Sequence, residues 1–153
     1  LHGKLRGSPC RPYNSDQRIR IPSNSLATYP DVSVICGQLE PDRQDADAAI
    51  NPRVLFEVLS PATEKYVRGK KFDFYRGLDS LQEYVLVSQE EPQVERFTRQ
   101  EDGGWLLTVF KGLEAELDLS AIGCRLSLAE IYEDIAFGPL EVAPSTQPTM
   151  PLF

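Results

Sequence analysis

The chain has 153 residues and a formal net charge of −7: a length that suits one domain with a real core, and a charge that argues against simple electrostatic capture of nucleic acid. Hydrophobic residues make up 41% and charged residues 25%, and no apolar run reaches the roughly 20 residues of a membrane span, which excludes a helical membrane protein. The first stretch lacks the positive, apolar, small-residue order of a secretory signal, and a start at Leu1 reads as a fragment with part of the N-terminus truncated.

In chain order, the Gly, Pro and Ser content from Leu1 to Asn14 predicts a loop or irregular edge, followed by a short alternating strand at "QRIRI". "YPDVSVIC" predicts a strand with Val32, Val34 and Cys36 on one face. The acidic "GQLEPDRQDADAA" lacks the central Gly and terminal Glu of a calcium loop, so Asp42, Asp45 and Asp47 read as solvated loop charge. "RVLFEVLS" is apolar on both faces, as a strand in the middle of a covered sheet must be. Ser60 and Pro61 then read as the start of a helix running to about Gly77. "EYVLV" is the next strand, "QVERFTR" and "WLLTVFK" form a hairpin around "EDGG", and "AELDLS" adds another strand. "SLAEIYEDI" predicts a short amphipathic helix with Leu128, Ile131, Tyr132 and Ile135 on one stripe. The expected fold class is mixed α/β or α+β around a central sheet: one domain over residues 1–137, then a Pro-rich tail over 138–153.

Charge is segregated along the chain. Basic residues outnumber acidic ones in residues 1–25 and again in 60–77, where Lys65, Arg68, Lys70, Lys71 and Arg76 face only Glu64 and Asp73. Such a split permits an anionic ligand on one face, with a solvated surface as the plain alternative. Cys10, Cys36 and Cys124 are widely spaced, odd in number and without a CxxC pair. They predict neither a disulfide framework nor a zinc site, and point to a reducing cytoplasm. His2 is the only histidine, which removes the base of a Ser-His-Asp hydrolase and the ligands of a histidine-rich metal site. "GKK" at Gly69 fails as a phosphate-binding loop, because Glu64 stands where its first Gly belongs and Lys71 replaces its Ser or Thr.

Two charges fall where the pattern demands apolar residues. Glu57 shares a strand face with Leu55 and Leu59, and on a helical wheel Lys71 falls about 40° from Val67, inside the stripe that also holds Phe74 and Leu78. An ammonium there must snorkel outward, lose its charge or meet a carboxylate. Asp31 opens the neighbouring strand on the face of Ser33 and Ile35. Two carboxylates on adjacent strands, about 4.8 Å apart, can share a hard divalent cation such as Mg²⁺, with the lysine beside a bound phosphate or its attacking water. A buried structural Glu57–Lys71 ion pair, with Asp31 merely starting a strand, is the alternative that spacing leaves open.

"YPDVSVIC", "VLFEVLSPAT", "GKKFDFYR" and "EYVLV", in this order and at these separations, resemble the putative restriction endonuclease family of bacterial proteins, a branch of the PD-(D/E)XK nuclease superfamily. The match runs from about Arg18 to Leu128. The resemblance implies a restriction-endonuclease-like core, a central mixed sheet flanked by helices, and a metal-dependent endonuclease that hydrolyses DNA phosphodiesters with Mg²⁺, or Mn²⁺ in its place. It maps Asp31 and Glu57 to the acidic motif positions and catalytic metal ligands, Val58 to a carbonyl ligand, and Lys71 to the catalytic lysine. The common superfamily pattern has that lysine two residues after the acid, at Leu59 here; in this branch it has moved to the following helix. Tyr75 and Glu83 also match family positions, Tyr75 reading as a packed helix aromatic and Glu83 as an acid behind the site or half of a surface pair with an Arg. Val67 departs from the family's usual Asp. Two-fold symmetry suits two cuts on antiparallel DNA strands, so a homodimer is the implied partner state, and a non-catalytic binding or scaffold domain is the rival reading.

Overall fold

The computed structural model describes residues 1, 3–133 and 135. Its strands are β1 (Cys10–Tyr13), β2 (Arg18–Ile21), β3 (Leu26–Thr28), β4 (Val32–Cys36), β5 (Ala48–Ala49), β6 (Pro52–Val58), β7 (Glu83–Val87), β8 (Gln93–Arg99), β9 (Trp105–Lys111), β10 (Glu116–Leu119) and β11 (Cys124–Ser127). The helices are α1 (Glu64–Arg68), α2 (Lys70–Tyr75) and α3 (Leu128–Ile131). Among the described residues no helix is long and apolar enough to cross a membrane.

The strand that is apolar on both faces, β6, lies inside a six-stranded sheet of order β1-β4-β6-β7-β8-β9. Its pairing with β7 is parallel, so the chain needs a crossover there and supplies α1 and α2. All other neighbours in this sheet are antiparallel, which makes it mixed. Alternation divides each strand between two cores. Val54, Phe56, Val85 and Val94 face a layer from β10, β11 and α3, including Leu117, Leu119, Leu126, Leu128 and Tyr132. Leu55, Tyr84 and Leu86 face the crossover helices through Val67, Phe72, Tyr75, Leu78 and Leu81, with Ile19 and Ile21 of β2 beside them. The hairpin expected at "EDGG" joins β8 to β9; Gly103 takes φ +90°, a conformation open to glycine, and donates its N–H to the Gln100 carbonyl at 3.0 Å.

Several expectations need correction. Part of the predicted N-terminal loop is β1, which pairs with β4 so that Cys10 lies directly opposite Cys36, and the two form a disulfide. Linear spacing cannot reveal a partner brought close by strand pairing, and the cytoplasmic reading drawn from that spacing loses its support; Cys124 is free and buried. The acidic loop is not simply solvated: Asp42 is buried with Arg20 Nε 3.5 Å from its Oδ2, and Asp45 pairs with Arg18. The predicted single helix starts three residues later than expected, after a turn in which Ser60 accepts the N–H groups of Thr63 and Glu64 through its carbonyl. It also breaks at Gly69, where φ −103° and ψ −90° leave the helical region. That break shifts the phase of the wheel, burying Phe72 beside the expected Tyr75 and leaving Phe74 only partly buried. Ile135 is exposed rather than part of the α3 stripe. The tail at 138–153 lies outside the described residues.

Candidate active site

Alternation turns Glu57 towards the helices, together with Leu55 and Leu59. It is 4% exposed. Lys71, in the first turn of α2, reaches across so that its Nζ lies 2.7 Å from Glu57 Oε2, with the lysine side chain 14% exposed. The lysine therefore does not snorkel; it meets a carboxylate. Tyr75, one helical turn on, donates its hydroxyl to the same Oε2 at 2.9 Å, and that hydroxyl also lies 3.2 Å from Thr28 Oγ1 on β3. Both contacts fall on Oε2, and Oε1 has no hydrogen-bond partner among the described residues.

Burial pushes the Glu57 carboxyl above the usual carboxylate range; Lys71 and Tyr75 oppose the rise, and the negative charge of Asp31 adds to it. Burial and the neighbouring Glu57 push the Tyr75 phenol far upward, so it stays a neutral donor. The ring is also part of the core, edge-on to Tyr84. It is the packed aromatic expected from the sequence and, in addition, a direct partner of Glu57.

The register of β4 with β6 explains the position of Asp31. Val32 pairs with Phe56, and continuing the antiparallel register by one residue puts Asp31 across from Glu57, a separation of about 5 Å between Cβ atoms. Asp31 Oδ2 accepts the Val58 N–H at 2.7 Å; its Oδ1 has no partner among the described residues. One residue further, Val58 lies opposite Pro30, which has no N–H to offer the Val58 carbonyl. The end of β6 thus gathers an uncommitted oxygen from each of two carboxylates and a strand carbonyl with no facing donor. On the other side of the sheet, a groove of about 700 Å³ lined by Val32, Phe56, Val87 and Tyr132 reaches Asp31 and Val58.

Hard oxygen donors of this kind fit Mg²⁺ or Mn²⁺, which take one or two carboxylates and keep several waters. No set of three or more Asp, Glu, His or Cys side chains converges anywhere among the described residues, so a larger all-protein cage is not the arrangement offered. Glu83 stands apart. It pairs with Val54 at the far end of β7 and faces the opposite core, where its Oε2 lies 3.9 Å from Arg96 Nε and its Oε1 accepts the Ala121 N–H at 3.4 Å. It is neither behind the site nor in a surface pair, being 1% exposed. Val67 is buried, and its carbonyl accepts the Tyr84 hydroxyl at 3.1 Å. Of the basic residues around the crossover, Arg68 pairs with Glu64 and Glu95, whereas Lys65 and Lys70 are exposed and in no ion pair among the described residues.

A family model described as Uma2, putative restriction endonuclease, matches residues 1–129. The curated relatives include two Synechocystis proteins. Uncharacterized protein slr1290 is 37% identical over 133 residues, 87% of this chain and 68% of that one. Uncharacterized protein sll1609 is 37% identical over 106 residues, 69% of this chain and 60% of that one. Among solved structures, a putative nuclease belonging to DUF820 from Anabaena variabilis superposes with a TM-score of 0.66 at 17% identity, covering 85% of this chain and 72% of that one. The likeness is one of fold: a mixed α+β arrangement around a central mixed sheet, restriction-endonuclease-like.

Proposed function

The chain belongs to the Uma2 family of putative restriction endonucleases, and from that premise we propose that it is a Mg²⁺-dependent endonuclease hydrolysing DNA phosphodiesters. The observation that carries the proposal is the Glu57–Lys71 pair at the end of β6, with Asp31, just before β4, accepting the N–H of the next residue, Val58, and its charge felt by Glu57. Asp31, Glu57 and the Val58 carbonyl would hold Mg²⁺, or Mn²⁺ in its place. Bound there, the ion would supply Lewis acidity to a phosphate oxygen and lower the pKa of a coordinated water. Asp31 is oriented by the Val58 N–H, and Glu57 by Lys71 and Tyr75, so neither carboxylate needs to be reorganised before binding. Lys71 presents a positive charge beside the position of the scissile phosphate, and the exposed Lys65 and Lys70 provide sequence-independent contacts to the phosphate backbone. Two copies of the chain would address the two strands of a duplex.

The closed Glu57–Lys71 pair also supports a second reading, a nuclease-fold binding or scaffold domain whose ion pair is structural. Two measurements separate them. Under the first reading Mg²⁺ or Mn²⁺ raises the melting temperature of the wild type, and Asp31→Asn removes that rise. Plasmid DNA is nicked or cut by the wild type and not by Lys71→Ala. Equal cleavage by both proteins overturns the assigned role of the lysine, and absence of any metal response in the wild type favours the scaffold.

A further inference from the structure

The two edges of the six-stranded sheet are built differently. One edge, β1, has four residues and includes Arg11 and Pro12, features that discourage further pairing. The other, β9, reads Trp105-Leu-Leu-Thr-Val-Phe-Lys111, seven residues with no proline and no charge before the last. Leu106 is 56% exposed, and Leu107 and Val109 are each 45% exposed. Among the described residues, no other strand leaves more than one large apolar side chain so exposed.

The backbone of this edge has a defined polarity. Gly112 donates its N–H to the Pro92 carbonyl at 2.9 Å, and Gln100 donates to the Gly104 carbonyl at 2.7 Å. These bonds extend the β8–β9 ladder at both ends and assign the hydrogen-bonded pairs to even-numbered residues of β9, from Leu106 with Thr98 to Phe110 with Val94. The N–H and C=O groups of Trp105, Leu107, Val109 and Lys111 therefore point away from the sheet and have no strand beside them among the described residues.

We infer that β9 is the surface through which two copies of this chain associate, pairing antiparallel about a two-fold axis at Thr108. It deepens the two-copy expectation stated above by naming the surface. The strand is complementary to itself in that register: Trp105 faces Lys111 and Leu107 faces Val109 as hydrogen-bonded pairs, forming about eight new backbone hydrogen bonds. Leu106 faces Phe110 and Thr108 faces its own counterpart as non-hydrogen-bonded pairs. Moving the axis to Leu107 or Val109 leaves outward-facing groups of the strand opposite turn residues, so the Thr108 register alone pairs the whole strand. Charge agrees with it. Lys111 of one copy comes alongside Trp105 of the other, next to the turn that carries Glu101 and Asp102, so the one cation of each strand approaches an acidic turn of its mate.

Association is measured without DNA or metal, so the outcome is independent of the nuclease reading. Light scattering during size exclusion should give a dimer for the wild type. Leu107→Lys combined with Val109→Pro should give a monomer with unchanged far-ultraviolet circular dichroism, because the Val109 N–H bonds nothing among the described residues and proline is tolerated on an edge strand. If that variant fails to fold, Thr108→Cys decides. Non-hydrogen-bonded antiparallel partners sit about 4.5 Å apart at Cα, within the range a disulfide spans, so this variant should form a covalent dimer on oxidation that the wild type does not. A monomeric wild type, a dimer that survives the double substitution, or a dimeric Thr108→Cys protein without the cross-link overturns the proposal.

Discussion

Replacing Lys71 by Met separates the two roles a buried ion pair can have. In the wild type, Glu57 Oε2 is held 2.7 Å from the ammonium and 2.9 Å from the Tyr75 hydroxyl, in a place almost closed to water. Met keeps the apolar stem of the side chain in the stripe and removes only the charge. The carboxylate left behind has one neutral donor in place of a cation, and breaking a buried pair from one side costs about 3 kcal/mol or more. For a chain of this length that corresponds to a fall in melting temperature of roughly 10 °C. The loss depends on pH in a direction the structure fixes. A carboxyl whose folded pKa stands above its unfolded value favours folding fully below the unfolded value, near 4.5, and loses that advantage as pH rises through the folded value. Burial already raises Glu57, and removing Lys71 raises it further, so the deficit of Lys71→Met should be small near pH 4.5 and full at about pH 8. Adding Glu57→Gln to Lys71→Met should recover much of the loss at the higher pH. Urea denaturation of the four proteins of this cycle at both pH values makes the comparison. Equal losses at the two pH values, or a double variant no more stable than Lys71→Met, would refute the electrostatic account and leave packing as the cause.

Two further outcomes follow from groups outside the site. Burial displaces the Glu83 carboxyl from 4.5 to about 6, which corresponds to about 2 kcal/mol of lost stability once the group is ionised. The penalty is absent below pH 4.5 and complete above the folded value, so Glu83→Gln should match the wild type in acid and exceed it by about 1 to 2 kcal/mol at pH 8 in urea denaturation; a variant weaker at both pH values contradicts this. The Cys10–Cys36 bridge closes a loop with a sequence separation of 26, so Cys10→Ser should lower stability by about 3.5 kcal/mol. Thiol titration of the unreduced, denatured wild type should find Cys124 alone, and three thiols before reduction would show that the bridge is absent.

What the sequence reveals of the site depends on whether a residue breaks a local pattern. Glu57 and Lys71 each interrupt an apolar face, and a parallel strand must be followed by a covering element, so their meeting could be reasoned from periodicity and connectivity. The wheel is still wrong in detail, because Gly69 breaks the helix and turns Phe72 inward while Phe74 is left only partly buried. Asp31 breaks no pattern; its position follows from the β4–β6 register, a pairing between segments about 25 residues apart that no local signal records. The disulfide and the Arg20–Asp42 contact were illegible for the same reason. The hydroxyl of Tyr75 lay between the two cases, on a core position by its spacing and a polar partner only once Glu57 is known to be buried beside it.

Pro30 tests the proposed metal ligands from the backbone side. It lies opposite Val58 in the continued register and gives that carbonyl no N–H, while the Val58 N–H is taken by Asp31. Pro30→Ala supplies the missing donor. A new strand bond of about 0.5 to 1.5 kcal/mol is offset by about 0.4 to 1 kcal/mol from the freer unfolded chain, so stability without metal should change little. The metal response should change more, because an N–H aimed at the Val58 carbonyl competes with a cation for the same lone pairs and extends β4 across the mouth of the site. The expected result is a near-unchanged melting temperature without metal and a markedly smaller rise with Mg²⁺ or Mn²⁺ than in the wild type. Asp31→Asn should abolish that rise altogether. If Pro30→Ala shows the full wild-type rise while Asp31→Asn shows none, the carboxylates bind the ion without the strand carbonyl, and Val58 leaves the ligand set.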